Sequence, residues 1–393
     1  MTSPVYLDHH ATTPVAPSVF EAMRPYFTEV FGNPGSLGHA YGWQAQEAVG
    51  TARAQVARLL NAAPSEILFT SGATESNNLV LKGLVGARRG RSTHIVTTAT
   101  EHKSVLDPLA RLSRDGIRVT VLPVAGDGRL PLDLLERSLG EDTALISVMA
   151  ANNEIGTLQP LEAIGRLARE RGILFHTDFT QAAALLSLDV QKVPVDLLTL
   201  SGHKMYGPKG VGALMVGSGR SGAELIAQLD GGGQEQGLRA GTLNVPGIVG
   251  LGEACDLARK SRESDAQRLT TLRDHLKETL AAALGDLRIN GTWTHRLPNN
   301  LNVSFPGVDG EALLHALPEV AVSSGSACNA ASGEPSHVLL ALGLDPGLAR
   351  ATLRFGLGRP TTADDVDFAA ARVIEAIRRL RPVSPGMDTP VAT

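Results

Sequence analysis

The sequence predicts an α/β fold with a mostly parallel seven-stranded sheet in a large domain, helices on both faces of that sheet, and a smaller α+β domain. Three observations predict this fold. Short β-branched apolar runs alternate with helical patterns in the first part of the chain, which is typical of a parallel sheet covered on both faces. A long amphipathic stretch then begins near residue 246. The chain has 393 residues, 43% of them apolar, which is ample for a large core.

The predicted elements of the large domain follow one another at short intervals. The predicted strands are residues 66–70, 94–97, 118–122, 144–148, 173–176, 196–200 and 212–216. The predicted helices between them are residues 37–61, 104–115, 132–139 and 161–171. Ser71, Asp178 and Lys204 each come shortly after a predicted strand. Because ligands of such sheets gather at the carboxyl ends of the strands, we expect these three residues to converge.

The smaller domain combines one long helix with a few short elements. Its predicted elements are a bridging helix near 246–284, a strand over 300–305, a helix over 310–317, a strand leading to residue 323, a strand over 352–355 and a helix over 363–380. We therefore assign residues 16–245 to the large domain, and residues 1–15 and 246–393 to the small one. A loop over 323–335 in the small domain carries Cys328.

The bulk composition argues against several classes of protein. A net charge of −4 gives no basic surface for nucleic acid. No apolar run approaches the ~20 residues of a membrane-spanning helix, and the first residues lack the pattern of a secretory signal. The two cysteines, Cys255 and Cys328, are far apart, which argues against a disulfide framework and favours a cytoplasmic location. No residues show the spacing of zinc ligands, so no metal site is predicted.

Lys204 lies in an unusual segment, beside Ser201, His203 and several glycines. A lysine considered alone is more often a solvated surface residue. Here a carboxylate, Asp178, precedes the lysine by one β/α unit. An enzyme that uses pyridoxal 5′-phosphate needs such a pair, because a lysine amine binds the cofactor aldehyde and a carboxylate pairs with the pyridinium nitrogen. The pair therefore predicts a pyridoxal 5′-phosphate site.

Residues 70–78 follow a predicted strand and open a helix. The free N–H groups at the start of that helix, together with the Thr74 hydroxyl, can bind a phosphate group. Ordinary helix capping by Ser71 or Thr74 explains the same residues.

Several further polar residues also follow predicted strands or interrupt them. His102 can stack on a cofactor ring and exchange protons near neutral pH, or it can simply begin a helix. Asn153 can bond a ring hydroxyl or a substrate carboxylate, although Asn and Gly also build ordinary turns. Gln181 can bond the oxygen beside the aldehyde or face water. Arg354 lies in an apolar run, where its guanidinium can bind a carboxylate or face solvent at a strand position.

Cys328 is surrounded by small and polar residues. Free cysteines are usually buried and inert. This one lacks apolar neighbours and lies on a predicted loop, so a reactive thiolate is a reasonable prediction. Cys255 lies in a helical pattern, where packing explains it.

These stretches together resemble the cysteine desulfurases of the NifS/IscS type, within the class V aminotransferase-like enzymes that use pyridoxal 5′-phosphate. The resemblance runs almost from end to end. It is carried by residues 6–14, 31–34, 70–78, 100–103, 152–156, 176–178, 201–210, 323–328, 334–337 and 354–359.

The resemblance implies a fold-type-I homodimer that removes sulfur from L-cysteine. It implies that Lys204 binds the cofactor aldehyde, that Asp178 holds the pyridinium nitrogen, and that Cys328 is the nucleophile that carries a persulfide. It also implies that His102 stacks over the ring and takes part in catalysis. The other implied contacts are Ala73, Thr74, Ser201, His203 and the other subunit's Thr242 for the phosphate, Gln181 and Asn153 for the ring oxygen, and Asn153 and Arg354 for the substrate.

The resemblance also implies transfer of sulfur to acceptor proteins such as an iron–sulfur scaffold, because the loop over 323–335 is relatively long. Phe179 departs from the family pattern, in which a small residue follows the aspartate, and Gln236 replaces a frequent Arg or Phe. The last residues, 381–393, do not resemble a scaffold-docking tail. A selenocysteine lyase, a transaminase of the same fold and a non-enzymatic sulfur-transfer scaffold remain alternatives.

Overall fold

The computed structural model describes residues 4–219, 225–325 and 334–381. Its strands are β1 Val5–Tyr6, β2 Ile67–Thr70, β3 His94–Thr98, β4 Arg118–Leu122, β5 Thr143–Ser147, β6 Leu174–Asp178, β7 Leu197–Ser201, β8 Gly212–Val216, β9 Arg288–Ile289, β10 Asn300–Ser304, β11 Val320–Ala321 and β12 Thr352–Gly356. Its α-helices are α1 Pro17–Met23, α2 Pro25–Thr28, α3 Ala40–Leu60, α4 Ala73–Ala87, α5 Lys103–Arg114, α6 Leu132–Ser138, α7 Leu161–Glu170, α8 Val245–Leu284, α9 Gly310–His315, α10 His337–Ala341, α11 Pro346–Arg350 and α12 Ala363–Leu380.

The large sheet has the strand order β2-β8-β7-β6-β5-β3-β4 within the described residues. The neighbouring pairs from β7 to β4 are parallel, whereas β8 runs antiparallel to both β7 and β2. This arrangement confirms the predicted α/β fold class with a mostly parallel seven-stranded sheet. The parallel strands end at one edge of the sheet, and the site described below lies there.

Helices cover both faces of the large sheet. Successive residues of a strand point to opposite faces. In β3, Ile95 belongs to an apolar cluster with residues of α4 and α5, whereas Val96 belongs to the separate cluster that includes residues of α7. Every residue of β5, β6, β7 and β8 is buried. Buried strands of this kind explain why the sequence shows continuous apolar runs rather than alternation.

The smaller part contains an antiparallel sheet of order β12-β10-β9 and a parallel pair of β1 with β11. The helix α8 has 40 residues and is capped by Asn244, the residue before it, whose side chain accepts a hydrogen bond from the backbone of Gly247. Gly252 allows α8 to approach α3, because a Cβ there would lie 2.7 Å from the Cα of Ala52. The pairing of β1 with β11 supports grouping the first residues with the C-terminal part, and the domain boundaries at 15/16 and 245/246 stay a prediction.

Two sequence predictions fall on residues that the structure does not describe. Cys328 and most of the loop over 323–335 lie outside the described residues, as do residues 382–393 of the tail. Phe179, which departs from the family pattern, is buried in the core. Among the described residues, no helix is both long and apolar enough to cross a membrane.

Candidate active site

Lys204 lies at the end of a short 3₁₀ turn, Gly202–Lys204, that directly follows β7. The turn is tight, because a Cβ at Gly202 would lie 2.8 Å from the carbonyl oxygen of Pro208. The Lys204 Nζ atom donates hydrogen bonds to the carbonyl oxygens of His10 and Ala11, the latter at 2.8 Å. The amine is therefore held at the edge of the sheet and faces the cavity described below.

Asp178 is the last residue of β6, the strand next to β7. Its Oδ1 accepts a hydrogen bond from the Thr180 backbone at 3.0 Å, and its Oδ2 accepts one from Asn77 Nδ2 at 2.8 Å. The carboxylate is buried but lines the same cavity as Lys204. It can pair with a cationic ring nitrogen, as the sequence predicted.

The start of α4 also lines this cavity. Gly72 precedes the helix with φ 147°, a conformation that favours glycine, and no side chain caps the helix. Gly72 lies close to β8, because a Cβ at Gly212 would lie 2.7 Å from the Gly72 Cα. The residues Ala73 and Thr74 line the cavity, so the first N–H groups of α4 can bind an anion there.

Ser201 and His203 line the cavity between α4 and Lys204. The His203 Nδ1 atom lies 3.1 Å from the Thr12 hydroxyl. Burial, together with the charges of Lys204 and Lys209, lowers the pKa of His203 to about 4. A neutral imidazole at this position can donate one hydrogen bond to a phosphate without adding a charge.

His102, Asn153 and Gln181 also line the cavity. His102 precedes α5, and burial lowers its pKa, although the nearby Asp178 carboxylate raises it. Gln181 does not face water: its amide pairs with His10, through Oε1 to the ring Nδ1 at 3.1 Å and through Nε2 to the backbone oxygen at 3.0 Å. Burial, first of all, lowers the pKa of His10 to about 3.

Arg354 extends from β12, an edge strand of the smaller sheet, into the cavity and is only 1% exposed. Its Nη2 atom donates to Asp8 Oδ1 at 2.7 Å and to Ser323 Oγ at 3.1 Å. Its Nη1 atom donates to the Asn153 carbonyl oxygen at 3.1 Å. The guanidinium is therefore oriented before any substrate binds, and the solvent-facing alternative for Arg354 is wrong.

A single cavity of about 510 Å³ brings these side chains together. The predicted site residues that line it are Ala73, Thr74, His102, Asn153, Asp178, Gln181, Ser201, His203, Lys204 and Arg354. Thr242 lines a different cavity, together with Asn33 and Arg53. The structure thus gathers the predicted set except for Thr242 and for Cys328, which lies outside the described residues.

Sequence reasoning missed the contribution of the N-terminal segment. His10, Ala11 and Thr12 form part of the cavity wall, and so does Thr180 beside Asp178. The signal was present in the polar run that follows β1, which the resemblance included without assigning a role to any residue in it. The missing information was the pairing of β1 with β11, which brings this segment to the sheet edge.

Residues 5–368 match the aminotransferase class V family. The cysteine desulfurase IscS of Anaeromyxobacter sp. (strain Fw109-5) is 54% identical over 385 residues, which cover 98% of this chain and 95% of that relative. The chain belongs to the class V aminotransferases, among their cysteine desulfurases. The predicted resemblance is thereby confirmed.

Solved structures of class V aminotransferase relatives share the fold. A NifS-like protein matches with a TM-score of 0.89 and 37% identity, over 96% of this chain and all of that one. A structure of SspA in complex with cysteine matches with a TM-score of 0.79 and 40% identity, over 90% of this chain and 98% of that one.

The cavity residues fit pyridoxal 5′-phosphate, the cofactor that the family implies. The uncapped start of α4 suits a phosphate group, and the buried Asp178 carboxylate suits a protonated ring nitrogen. The buried hydroxyl of Thr180 has no hydrogen-bond partner among the described residues, although it belongs to the cavity wall. An unpaired buried hydroxyl costs free energy unless a ligand forms a hydrogen bond with it. The Thr180 hydroxyl can therefore form a hydrogen bond with a ligand bound in the cavity.

Proposed function

We propose that this protein is a pyridoxal 5′-phosphate-dependent cysteine desulfurase that converts L-cysteine to L-alanine and leaves the sulfur as a persulfide on Cys328. The observation that carries the proposal is the convergence of Lys204, Asp178 and Arg354 on one cavity, in a chain that belongs to the cysteine desulfurases. When bound, the cofactor supplies an electron sink that stabilises negative charge at the substrate Cα.

The chain's own residues would bind and orient the reacting groups. Asp178 would pair with the ring nitrogen, while the start of α4 with Thr74, Ser201 and His203 would hold the phosphate. Arg354 would bind the substrate carboxylate through its guanidinium, which Asp8 and Ser323 already orient.

Lys204 would remove the proton from the substrate Cα and return a proton when alanine forms. The Cys328 thiolate would then attack the substrate sulfur, so that an S–S bond forms and the substrate C–S bond breaks. L-cysteine and the enzyme thiol thus become L-alanine and the enzyme persulfide, with no external oxidant.

We test the sulfur-accepting role with Cys328→Ala, and with Cys255→Ala as the matched control. Cys255 is buried in α8, and burial raises the pKa of its thiol, so it is not expected to accept sulfur. We expect C328A to keep the cofactor absorbance and to lose trapped persulfide almost completely in mass spectrometry, while C255A keeps it. Full persulfide formation on the C328A protein would refute the assignment.

The alternative activities have different products. A transaminase would release a keto acid rather than L-alanine and sulfide, and a selenocysteine lyase would favour L-selenocysteine over L-cysteine. A non-enzymatic scaffold would produce no alanine from L-cysteine at all. Measuring alanine from both amino acids therefore separates these alternatives.

A homodimer is the assembly that we propose. Aromatic side chains of Phe27, Phe31 and Trp43 are each more than half exposed, although they are large and apolar. Exposed aromatic side chains are enriched at protein interfaces. The cavity that contains Thr242 lies next to the same segment, at Asn33, which supports donation of Thr242 to the phosphate site of the other subunit. The acceptor proteins, such as an iron–sulfur scaffold, and the cytoplasmic location stay predictions.

A further inference from the structure

Two residues that the sequence analysis did not single out connect His102 to Asp178. The Asn77 Nδ2 atom donates to Asp178 Oδ2 at 2.8 Å and to the Ser104 hydroxyl oxygen at 2.9 Å. The same Ser104 oxygen lies 2.8 Å from His102 Nδ1. Asn77 and Ser104 are both buried. A chain of hydrogen bonds therefore runs from the carboxylate at the end of β6 to the imidazole at the start of α5.

The donors and acceptors along this chain can be assigned one by one. The carboxylate oxygens of Asp178 accept hydrogen bonds, so the amide nitrogen of Asn77 faces them. The second amide hydrogen of Asn77 goes to Ser104, whose hydroxyl hydrogen is then directed to His102 Nδ1. The backbone N–H of Ser104 donates to the same Nδ1 atom at 3.1 Å. An imidazole nitrogen that receives two donors must present its lone pair, which leaves the proton of the neutral ring on Nε2.

We propose that Ser104 and Asn77 are positioning residues that hold His102 as a neutral imidazole protonated on Nε2, so that the ring offers the cavity a hydrogen-bond donor and not a base. The Nδ1 edge of the ring faces Ser104, and His102 lines the cavity. In catalysis, the Nε2–H group would donate a hydrogen bond to the sulfur or to a carboxylate oxygen of the substrate, a role that rests on the proposed function. Lys204 remains the base at the substrate Cα.

Some of the groups around His102 lower its pKa and others raise it. Burial lowers the pKa of His102 most strongly, Lys204 and His337 lower it further, and Asp178 and Asp107 raise it. The hydroxyl of Ser104 adds a donor to the neutral form, and a hydrogen bond to the neutral form lowers the pKa of a base. Removing that hydroxyl should therefore raise the pKa of His102.

The experiment measures the protonation of His102 directly in the holoenzyme. The protein is labelled with ¹⁵N at histidine, and the His102 signals are assigned by their loss in His102→Gln. We expect the wild-type ring to be protonated on Nε2 with a free lone pair on Nδ1. We expect Ser104→Ala to raise the His102 pKa by about half a unit to one unit, the equivalent of one ordinary hydrogen bond.

Three further variants make the result specific. Ser104→Thr keeps the hydroxyl and should restore the wild-type pKa. Ser104→Cys is nearly isosteric with a weaker donor and should give an intermediate pKa, which preserves the test if S104A folds poorly. Ser113→Ala removes an exposed serine of the same helix and should change nothing.

A wild-type spectrum with the proton on Nδ1, or an S104A protein whose His102 pKa does not move, would overturn the proposal. These results do not depend on desulfurase activity. A wild-type protein that releases no alanine from L-cysteine would instead refute the proposed function and leave the tautomer assignment standing.

Discussion

Glu101 carries a carboxyl group that is buried beside His102. Its Oε1 atom accepts hydrogen bonds from the Met149 backbone at 2.8 Å and from the Thr98 hydroxyl at 2.9 Å. Burial, first of all, raises the pKa of Glu101 to about 8, and the Asp178 carboxylate raises it too. Glu101 is therefore largely protonated and neutral at pH 7, which limits the negative charge next to the cavity.

We expect Glu101→Gln to change how stability depends on pH. The pKa of Glu101 is about 8 in the folded protein and 4.5 for an ordinary glutamate, so its favourable contribution to stability is complete below pH 4.5 and is lost as pH rises through 8. The loss is on the order of 1.4 kcal/mol per pH unit across that window. Gln cannot ionise, so E101Q should gain stability over the wild type between pH 6 and pH 8.5 in urea unfolding.

The matched control for E101Q is Glu263→Gln, an exposed residue of α8, which should leave the pH dependence unchanged. Parallel stability curves for E101Q and the wild type would contradict the assignment of a raised pKa to Glu101.

For single residues, the sequence predicted a place in the site where the neighbouring residues in the chain form a recognisable motif. Lys204 and Asp178 were predictable because each lies in a short polar segment after an apolar strand. Asn77, Ser104 and Glu101 were not, since their roles depend on hydrogen bonds to residues distant in the chain. Asn77 and Asp178 are 101 positions apart, and no local pattern reports such a contact.

At the scale of elements, the long strongly patterned segments were predicted well. The strands β4 and β8 and the helix α12 match their predicted bounds residue for residue. The strands β1 and β9 and the helices α1, α2, α10 and α11 were missed. Strands of two residues and helices of four to seven contain too few residues to show a clear hydrophobic period.

The carboxylate of Glu154, in the turn after β5, lies where elements of the smaller part meet. Its Oε2 atom accepts a hydrogen bond from the Ser336 hydroxyl, which also caps α10. A Cβ at Gly325 would lie 3.4 Å from that same Oε2 atom. Gly325 is the last described residue before Cys328, and Ser336 lies shortly after the undescribed segment. Both therefore lie beside the buried carboxylate of Glu154.

We expect Glu154→Ala to slow the formation of persulfide on Cys328 by about tenfold, the equivalent of 1.4 kcal/mol, because Ser336, shortly after the undescribed segment, loses the hydrogen bond to Glu154 that fixes its position. Cofactor absorbance should be unchanged. Glu154→Gln keeps an acceptor for Ser336 and should lose less, and Glu162→Ala, an exposed glutamate of α7, should lose nothing. Rapid-quench mass spectrometry of the persulfide measures the rates, and an unchanged rate in E154A would contradict the anchoring role.

At the scale of the whole molecule, the alternation of strands and helices predicted the fold class but not the order of strands. The antiparallel direction of β8, inserted between β7 and β2, has no signature in the apolar pattern. It follows from the short connection between Lys204 and Gly212, which is too short for the crossover that a parallel neighbour needs. The antiparallel strand β8 also brings Gly212 against Gly72. The turn that carries Lys204 therefore lies next to the start of α4.

Buried histidines should make the whole protein sensitive to mild acid. Burial lowers the pKa of His10 to about 3 and those of His176 and His203 to about 4, against 6.5 for an ordinary histidine. Their contribution to stability is complete above pH 6.5 and is lost as pH falls toward 4, because the unfolded chain takes up the protons. Each histidine contributes a slope of about 1.4 kcal/mol per pH unit once its unfolded form is protonated.

Urea unfolding between pH 6.5 and pH 5 measures that slope. We expect the free energy of unfolding to fall steeply toward pH 5, and we expect an exposed-histidine control, His315→Gln, to leave the slope unchanged. A free energy that stays constant over this range would show that these three histidines are not held neutral.

The helix α8 connects the two sheets without interruption. A helix of 40 residues is about 60 Å long at 1.5 Å per residue. Its first part packs against α3, the helix that carries the exposed Trp43, and farther along Asp265 pairs with Arg359 at 3.0 Å, just beyond the strand that carries Arg354. If substrate binding to Arg354 displaced β12, the displacement would be transmitted along α8 toward α3 and, in the proposed homodimer, toward the second subunit.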